Sequence, residues 1–305
     1  MALAIGIDVG GTNLRIGVFD GLQLVEEARF QADFSGICQN NSANVAWQQI
    51  LNMMEKAIRA VLAKHDAQTI GIGFPGFIDP VTKTIAQSPN LAGLKSVNLA
   101  ANLGQRLAKN VIVENDANAA AYGEYCLAGK PEGGLIYLGL GTGVGGGLIL
   151  NGKPFAGQHG TAMEVGHIII EPNGRLCGCG NLGCMEQYAS ASGVAFSYFN
   201  ATQKKIVAAE IAKLAAEGDS AAIAAFELAA NGLAQALASI LKVLDVQTVM
   251  IGGGLIGAWP LMKKAFSARL EADLIAVLRN KIDIKLSTSG DVAGMLGAAA
   301  LAQAQ

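Results

Sequence analysis

The chain has 305 residues, 51% of them hydrophobic and 15% charged, with a formal net charge of −2. That length accommodates two domains of ordinary size with a large core, and the low charge fraction suits a tightly packed or oligomeric globular protein. The near-neutral balance, without any basic run, excludes a nucleic-acid scaffold, which needs clustered Lys and Arg to neutralise phosphates.

The first residues, Met1 to Asp8, lack the basic start and long apolar stretch of a signal peptide. Leu3 to Val9 is a short apolar run that ends in Gly10-Gly11-Thr12, and Leu14 to Phe19 resumes it, predicting a glycine-turned hairpin. Trp47, Ile50, Leu51, Met54, Ile58, Val61 and Leu62 recur at helical spacing. Thr69 to Phe74 reads as a buried strand ending in Pro75-Gly76. Val111 to Val113 reads as another, closing on Glu114-Asn115-Asp116 before an alanine-rich helix from about Ala117. The pattern then restarts with Leu135 to Leu140, the turn Gly141 to Gly147, and Leu148 to Leu150. The uncharged stretch Gly133–Gly152 is long enough to span a bilayer, but nine of its twenty residues are glycine, which favours two buried strands. A long helix near Ile223 to Leu244 leads into a strand, Thr248 to Ile251, and the triplet Gly252-Gly253-Gly254. Two halves that each open with a glycine-turned hairpin predict a duplicated α/β architecture around a cleft.

Glycine turns beside buried strands present several backbone N–H groups to one point and let a phosphate approach closely. Three such turns lie on separate strands here. Both G-x-G-x-x-G matches, Gly71 to Gly76 and Gly141 to Gly146, fail to open a helix, so a Rossmann dinucleotide site is not expected; the P-loop pattern is absent. Nucleotide charge would then fall to backbone donors, Mg2+ and hydroxyls such as Thr12 and Thr142. Asp8, at a strand end just ahead of Gly10-Gly11, is placed to hold hydrated magnesium; its simpler role is bonding turn amides.

His167, Cys177, Cys179 and Cys184 fall within eighteen residues, interleaved with glycines. This is the inventory of a closed Cys3His zinc site. A Cys-x-Cys redox pair would leave an odd thiol, and three free core cysteines sit poorly with glycine-rich flanks; ligand number and spacing favour zinc. Cys38 and Cys126 complete the five cysteines, a usage that fits a reducing cytoplasm. Glu164 and Glu186 flank the loop as candidate polar binding groups.

Together, Asp8-Val9-Gly10-Gly11-Thr12, Gly73-Phe74-Pro75-Gly76, Glu114-Asn115-Asp116-Ala117-Asn118, Gly141 to Gly147, Glu164-Val165-Gly166-His167, the cysteine loop ending in Glu186 and Gly252-Gly253-Gly254 resemble the ROK family of sugar kinases and repressors. The resemblance runs in order to Asp291 and Gly297-Ala298-Ala299. It implies two actin-like (ribonuclease H-like) α/β domains around a central cleft, with a structural zinc loop. A smaller domain would comprise residues 1–118, completed by the C-terminal helix at about 292–305, and a larger one 119–291.

The same resemblance makes Asp116 the catalytic base toward a sugar hydroxyl, and Gly76, Asn90, Asn115, Asp116, Glu164, His167 and Glu186 sugar-binding. Asp8, Gly10, Gly11, Thr12, Asn13, Thr142, Gly143, Gly253 and Gly254 would hold ATP and magnesium. His167 would offer one ring nitrogen to zinc and the other to sugar. From the residues alone, either Asn115 or Asp116 could be the cap of the following helix. The chain departs from the family where Asn90-Leu91-Ala92-Gly93-Leu94 replaces the common Asn-Leu-Pro-Gly-Trp, where Met163 replaces a usual glycine, and where Val246 replaces a usual proline.

The implied activity is ATP-dependent phosphorylation of a hexose at its 6-hydroxyl, glucose first because Gln187-Tyr188-Ala189-Ser190-Ala191 after the loop resembles ROK glucokinases. N-acetylglucosamine, N-acetylmannosamine and fructose kinases share nearly every motif. A sugar-sensing repressor of the family would need DNA-binding helices ahead of Asp8, where only seven residues stand. A non-catalytic zinc-stapled scaffold would turn over no ATP. The partners expected are hexose and ATP, with no nucleic acid or membrane. Family habit and the low charge fraction point to a cytoplasmic homodimer.

Overall fold

β1 (Leu3–Val9) and β2 (Asn13–Asp20) form the expected hairpin, paired from Ala4↔Phe19 to Val9↔Leu14. The computed structural model of the chain describes residues 2–88, 91 and 93–304. β3 (Gln23–Gln31) adds an antiparallel edge to β2, and its Glu26, Glu27 and Arg29 put charge along that edge, which discourages pairing with other chains. α1 (Phe34–Asn40) is capped by Asp33, whose Oδ1 accepts the Gly36 N–H at 2.9 Å. α2 (Ala43–Leu62) buries Trp47, Ile50, Leu51, Met54, Ile58 and Val61, the stripe anticipated from spacing. Each such side chain contributes about 1.5–3 kcal/mol on leaving water.

β4 (Ala67–Phe74) runs parallel to β1, and three short strands follow as a small antiparallel sheet: β5 (Phe77–Ile78), β6 (Ile85–Gln87) and β7 (Lys95–Val97). After α3 (Leu99–Leu107), β8 (Asn110–Asn115) lies parallel to β4 and passes directly into α4 (Asp116–Leu127). The first large sheet therefore has the order β3-β2-β1-β4-β8.

The plan repeats downstream. β9 (Leu135–Leu140), β10 (Val144–Leu150) and β11 (Lys153–Pro154) are followed by α5 (Glu186–Ala189), α6 (Ala191–Thr202), α7 (Ala208–Ala216) and α8 (Ser220–Leu244). Then come β12 (Thr248–Gly252), α9 (Trp259–Asp273), β13 (Asp283–Leu286) and α10 (Val292–Gln303). The second sheet has the order β11-β10-β9-β12-β13, with β12 parallel to both β9 and β13. Each large sheet thus takes three strands in sequence and adds two parallel ones beyond the first, the duplication that the two hairpins anticipated.

By compactness the chain divides into a first unit, residues 1–134, 147–162 and 291–305, and a second, 135–146 and 163–290. Within the first unit, α10 lies on β1, β4 and α4. Small residues make that approach possible: a Cβ on Gly6 or Gly71 would sit 1.8 Å from a carbonyl oxygen of α10, and one on Gly297 would sit 1.7 Å from the Ala119 oxygen. Within the second unit, α8 starts at Ser220 because Asp219 caps it, accepting the Ala222 N–H at 2.8 Å. Among the described residues it is the one helix long and apolar enough to cross a bilayer; Phe226, Leu233, Leu237 and Leu241 are instead buried, and α5, α6, α7 and α9 pack against it.

Candidate active site

In the first unit, the parallel register places Asp8 beside Gly73 and Gly73 beside Glu114, so three strand ends stop level with one another. Carboxyl ends of parallel strands are where α/β sheets collect ligands. Asp8 is the last residue but one of β1, and Asp116 opens α4 from the next strand end but one. A Cβ on Gly73 would lie 3.3 Å from the Ala119 Cβ and 3.6 Å from the Asp116 Cα, so the end of β4 lies directly against the first turns of α4. Burial, then the charge of Asp116 and more weakly that of Asp291, push the Asp8 carboxyl up from 3.8 to about 6, against an opposing pull from Arg15. Arg15 also pairs with Asp291 at 2.6 Å and with Glu27 at 3.0 Å. Carboxylates confined together disfavour one another's ionised form, and a divalent cation would relieve that repulsion.

Asn115, and not Asp116, caps α4: its Oδ1 accepts the Asn118 N–H at 3.0 Å, while its Nδ2 donates to the Gly76 oxygen at 3.1 Å. This settles the two readings of the cap and ties Gly76 to the helix start. Asp116 Oδ1 accepts the Ala117 N–H at 2.9 Å. Glu114, not singled out from the sequence, accepts the Asn115 N–H at 3.0 Å and the Asn118 side-chain amide at 3.1 Å through one oxygen. In the turn after β1, the Gly10 N–H donates to the Asn13 oxygen at 2.8 Å and so is taken within the turn; Thr12 and Asn13 are exposed, linked by a 3.1 Å side-chain bond. Asn90, expected at the sugar, lies outside the described residues, as does Ala92.

In the second unit, the turn after β9 is closed by the Gly141 N–H on the Gly143 oxygen, 3.0 Å, and is held to α6 by the Ala191 N–H on the Gly141 oxygen, 2.9 Å. Glu186 Oε2 accepts the Val144 N–H at 3.0 Å, and a Cβ on Gly143 would sit 2.4 Å from that same oxygen. Thr142 and Gly254 line one cavity of about 580 Å3, walled by Val207, Leu255 and Ala258. Its size and apolar walls suit a small organic ligand of nucleoside dimensions. Gly253 adjoins it at the end of β12, packed against the Leu140 backbone.

The cysteine loop is a small hairpin. Leu176 bridges Leu182, the Cys177 N–H donates to the Asn181 oxygen at 2.9 Å, and the Gly183 N–H donates to the Arg175 oxygen at 2.7 Å. This brings the His167 nitrogen and the Cys177, Cys179 and Cys184 sulfurs within 4.8 Å of one another. Cys177 Sγ lies 3.5 Å from His167 Nδ1, and Cys179 Sγ lies 3.6 Å from Cys184 Sγ. A tetrahedral ion with metal–sulfur bonds near 2.3 Å requires ligand edges of roughly 3.8 Å, so the donors already stand at the spacing such an ion needs. Burial and the neighbouring thiols push Cys184 up to about 12, while the Asn181 N–H draws Cys179 down. A cation bound among the three sulfurs would be what holds them as thiolates together.

The imidazole's other nitrogen, Nε2, faces Glu164 at 3.7 Å. Burial raises the Glu164 carboxyl and Glu186 adds to the rise, against the lowering effect of His167. The second unit thus brings Glu164, His167 and Glu186 into one electrostatic neighbourhood beside the loop. Met163, the departure from a usual glycine, holds φ at +67°, a left-handed conformation that glycine adopts without strain. Arg175 was missed by sequence reasoning. Its guanidinium donates to the Gln187 and Gly193 oxygens and to Ser197 Oγ, and stacks on Tyr188 at 4.3 Å, fixing the loop to α5 and α6. A lone arginine after Asn173-Gly174 carries no spacing signal that could have marked it.

A model of the ROK family matches residues 4–305. The glucokinase of Thermotoga maritima is 30% identical over 315 residues, covering 97% of this chain and 96% of the relative. The N-acetyl-D-glucosamine kinase of Escherichia coli O1:K1 is 34% identical over 308 residues, covering 97% and 98%. Among solved structures, a ROK family glucokinase from Streptomyces griseus in complex with glucose and AMPPNP superimposes with a TM-score of 0.82 at 31% identity, covering 100% of both chains.

Proposed function

The chain belongs to the ROK family, and on that premise we propose that it transfers the γ-phosphoryl group of ATP to the 6-hydroxyl of a hexose, glucose before others. The observation that carries the reading is the pair of carboxylates at strand ends separated by one strand, Asp116 at the start of α4 and Asp8 raised in its presence. Phosphoryl transfer is mainly positioning and charge stabilisation, so a carboxylate held still by a helix start can accept the hydroxyl proton as the oxygen attacks. Asn115, already tied to Gly76, would orient that hydroxyl, with Asn90 assigned to the same sugar from its motif. Asp8 would hold hydrated magnesium at the phosphates, alongside the turn Gly10, Gly11, Thr12 and Asn13.

Thr142, Gly143, Gly253 and Gly254 would cradle the nucleotide, its nucleoside in the apolar cavity they adjoin. The remaining sugar hydroxyls would meet Glu164, His167 and Glu186. The Cys3His donors fit zinc, which would be structural: with four protein ligands it supplies no open position, only a fixed direction for the imidazole.

Glucose is supported by the glucokinases of Thermotoga maritima and Streptomyces griseus. A second acceptor, N-acetylglucosamine, is supported by the 34% identical Escherichia coli kinase. An acetamido group alters only a small part of the contact surface, a discrimination worth about 1–3 kcal/mol. Coupled ADP-release assays across glucose, fructose, N-acetylglucosamine and N-acetylmannosamine test the reading. The highest kcat/KM is expected with glucose; turnover of none would overturn the kinase, and a preference for an N-acetyl sugar would move the assignment.

A further inference from the structure

The first unit holds a cavity of about 620 Å3 that no sugar, nucleotide or zinc residue lines. Its lining runs from Tyr122 of α4, 7% exposed, to Phe155 just after β11, 46% exposed, with Lys83 and Lys153 on its exposed side. Glu114, at the end of β8, supplies its one carboxylate. Neither lysine is ion-paired among the described residues, and Lys83 is presented from a left-handed turn position, φ +56°. The chemistry is threefold. Aromatic faces suit the C–H face of a sugar ring, a carboxylate oxygen accepts hydroxyl protons, and two ammonium groups suit a dianion.

We propose that this cavity is a regulatory site for a sugar phosphate. Glu114 is the link to the reaction centre. The oxygen that holds the Asn115 N–H and the Asn118 amide belongs to the same carboxylate that lines the cavity, one residue before the cap and two before Asp116. The Asn118 Oδ1 is buried without a partner, so on that side the first turn of α4 leans on Glu114. A hydroxyl that engages Glu114 changes the acceptor on which the start of α4 rests.

The test titrates glucose 6-phosphate into the full chain saturated with glucose, so that the acceptor position is filled, and reads the heat. About one equivalent is expected to bind, and Lys83→Ala/Lys153→Ala to weaken it at least about tenfold. With no sugar phosphate added, that double variant keeps the wild-type kcat and KM. Inorganic phosphate should bind at least about tenfold more weakly than the ester, since it lacks the ring. In the rate assay, saturating glucose 6-phosphate should change wild-type kcat at least about twofold, unrelieved by excess hexose and absent in the double variant. Absence of heat, equal affinity in the double variant, or equal binding of inorganic phosphate would overturn the site; binding without a kcat change would overturn the link through Glu114. The rate measurement rests on the proposed kinase activity, whereas the titration does not, so failure of one is distinguishable from failure of the other.

Discussion

Two carboxylates carry different burdens at the strand ends of the first unit. Asp116→Asn keeps the shape and the start of α4 but removes the proposed proton acceptor. Turnover should fall about 10²–10⁴-fold while hexose affinity stays within about twofold, read by steady-state kinetics beside calorimetry. Asp8 makes the chain's response to acid unusual. Folded, it keeps its proton up to about pH 6; unfolded, it releases it near 3.8. The proton therefore favours the folded form below 3.8 and through that window, and this contribution is lost as pH rises through about 6. Urea unfolding of the ligand-free chain should show it, and Asp8→Asn should remove a stability change of about 1–3 kcal/mol across that window. Magnesium needs the ionised carboxylate, so the KM for MgATP should climb as pH drops below about 6, and a flat profile to pH 5 would remove Asp8 from the cation.

At the level of elements, the cysteine loop depends on its hairpin as much as on its thiols. Gly183 has φ +79°, and a Cβ there would stand 1.7 Å from the Glu171 oxygen. Gly183→Ala should cost about 2–4 kcal/mol, strain and overpacking together, and loosen bound metal although every ligand remains. Cys179→Ser should lower metal affinity at least about tenfold and weaken hexose binding with it, by metal analysis and calorimetry. Retention of stoichiometric zinc with unchanged sugar affinity would count against the site. This loop was legible because its chemistry is local: four candidate ligands in eighteen residues. The hairpins β1–β2 and β9–β10 and the helices α2 and α8 were legible through apolar periodicity. β3 was not, since its charged edge residues break the apolar run; α10, buried on nearly every side, shows no stripe and was expected only through the family resemblance. Arg175 and Glu114 act through contacts with backbone and amide groups, which leave no pattern in the order of residues.

For the molecule as a whole, repetition was readable from two glycine-turned hairpins, whereas the return of the C-terminal helix to the first domain came from the family resemblance and not from any local pattern. Arg15 meets Asp291, and α10 settles against strands laid down near the start of the chain, contacts that no local window contains. The fit is tight enough to test: Gly297→Ala sets a methyl 1.7 Å from the Ala119 oxygen. It should destabilise the first unit by about 1–3 kcal/mol, measured by denaturant unfolding, while the metal content of the cysteine loop is unchanged. The same closure has a consequence in time. A ribosome making this chain has released every strand of both large sheets before α10 emerges, and until then the floor formed by Gly6 and Gly71 stays bare. Nascent chains halted at Gly290 should expose that floor to chaperones, so the earliest-born half of the protein would be among the last to mature.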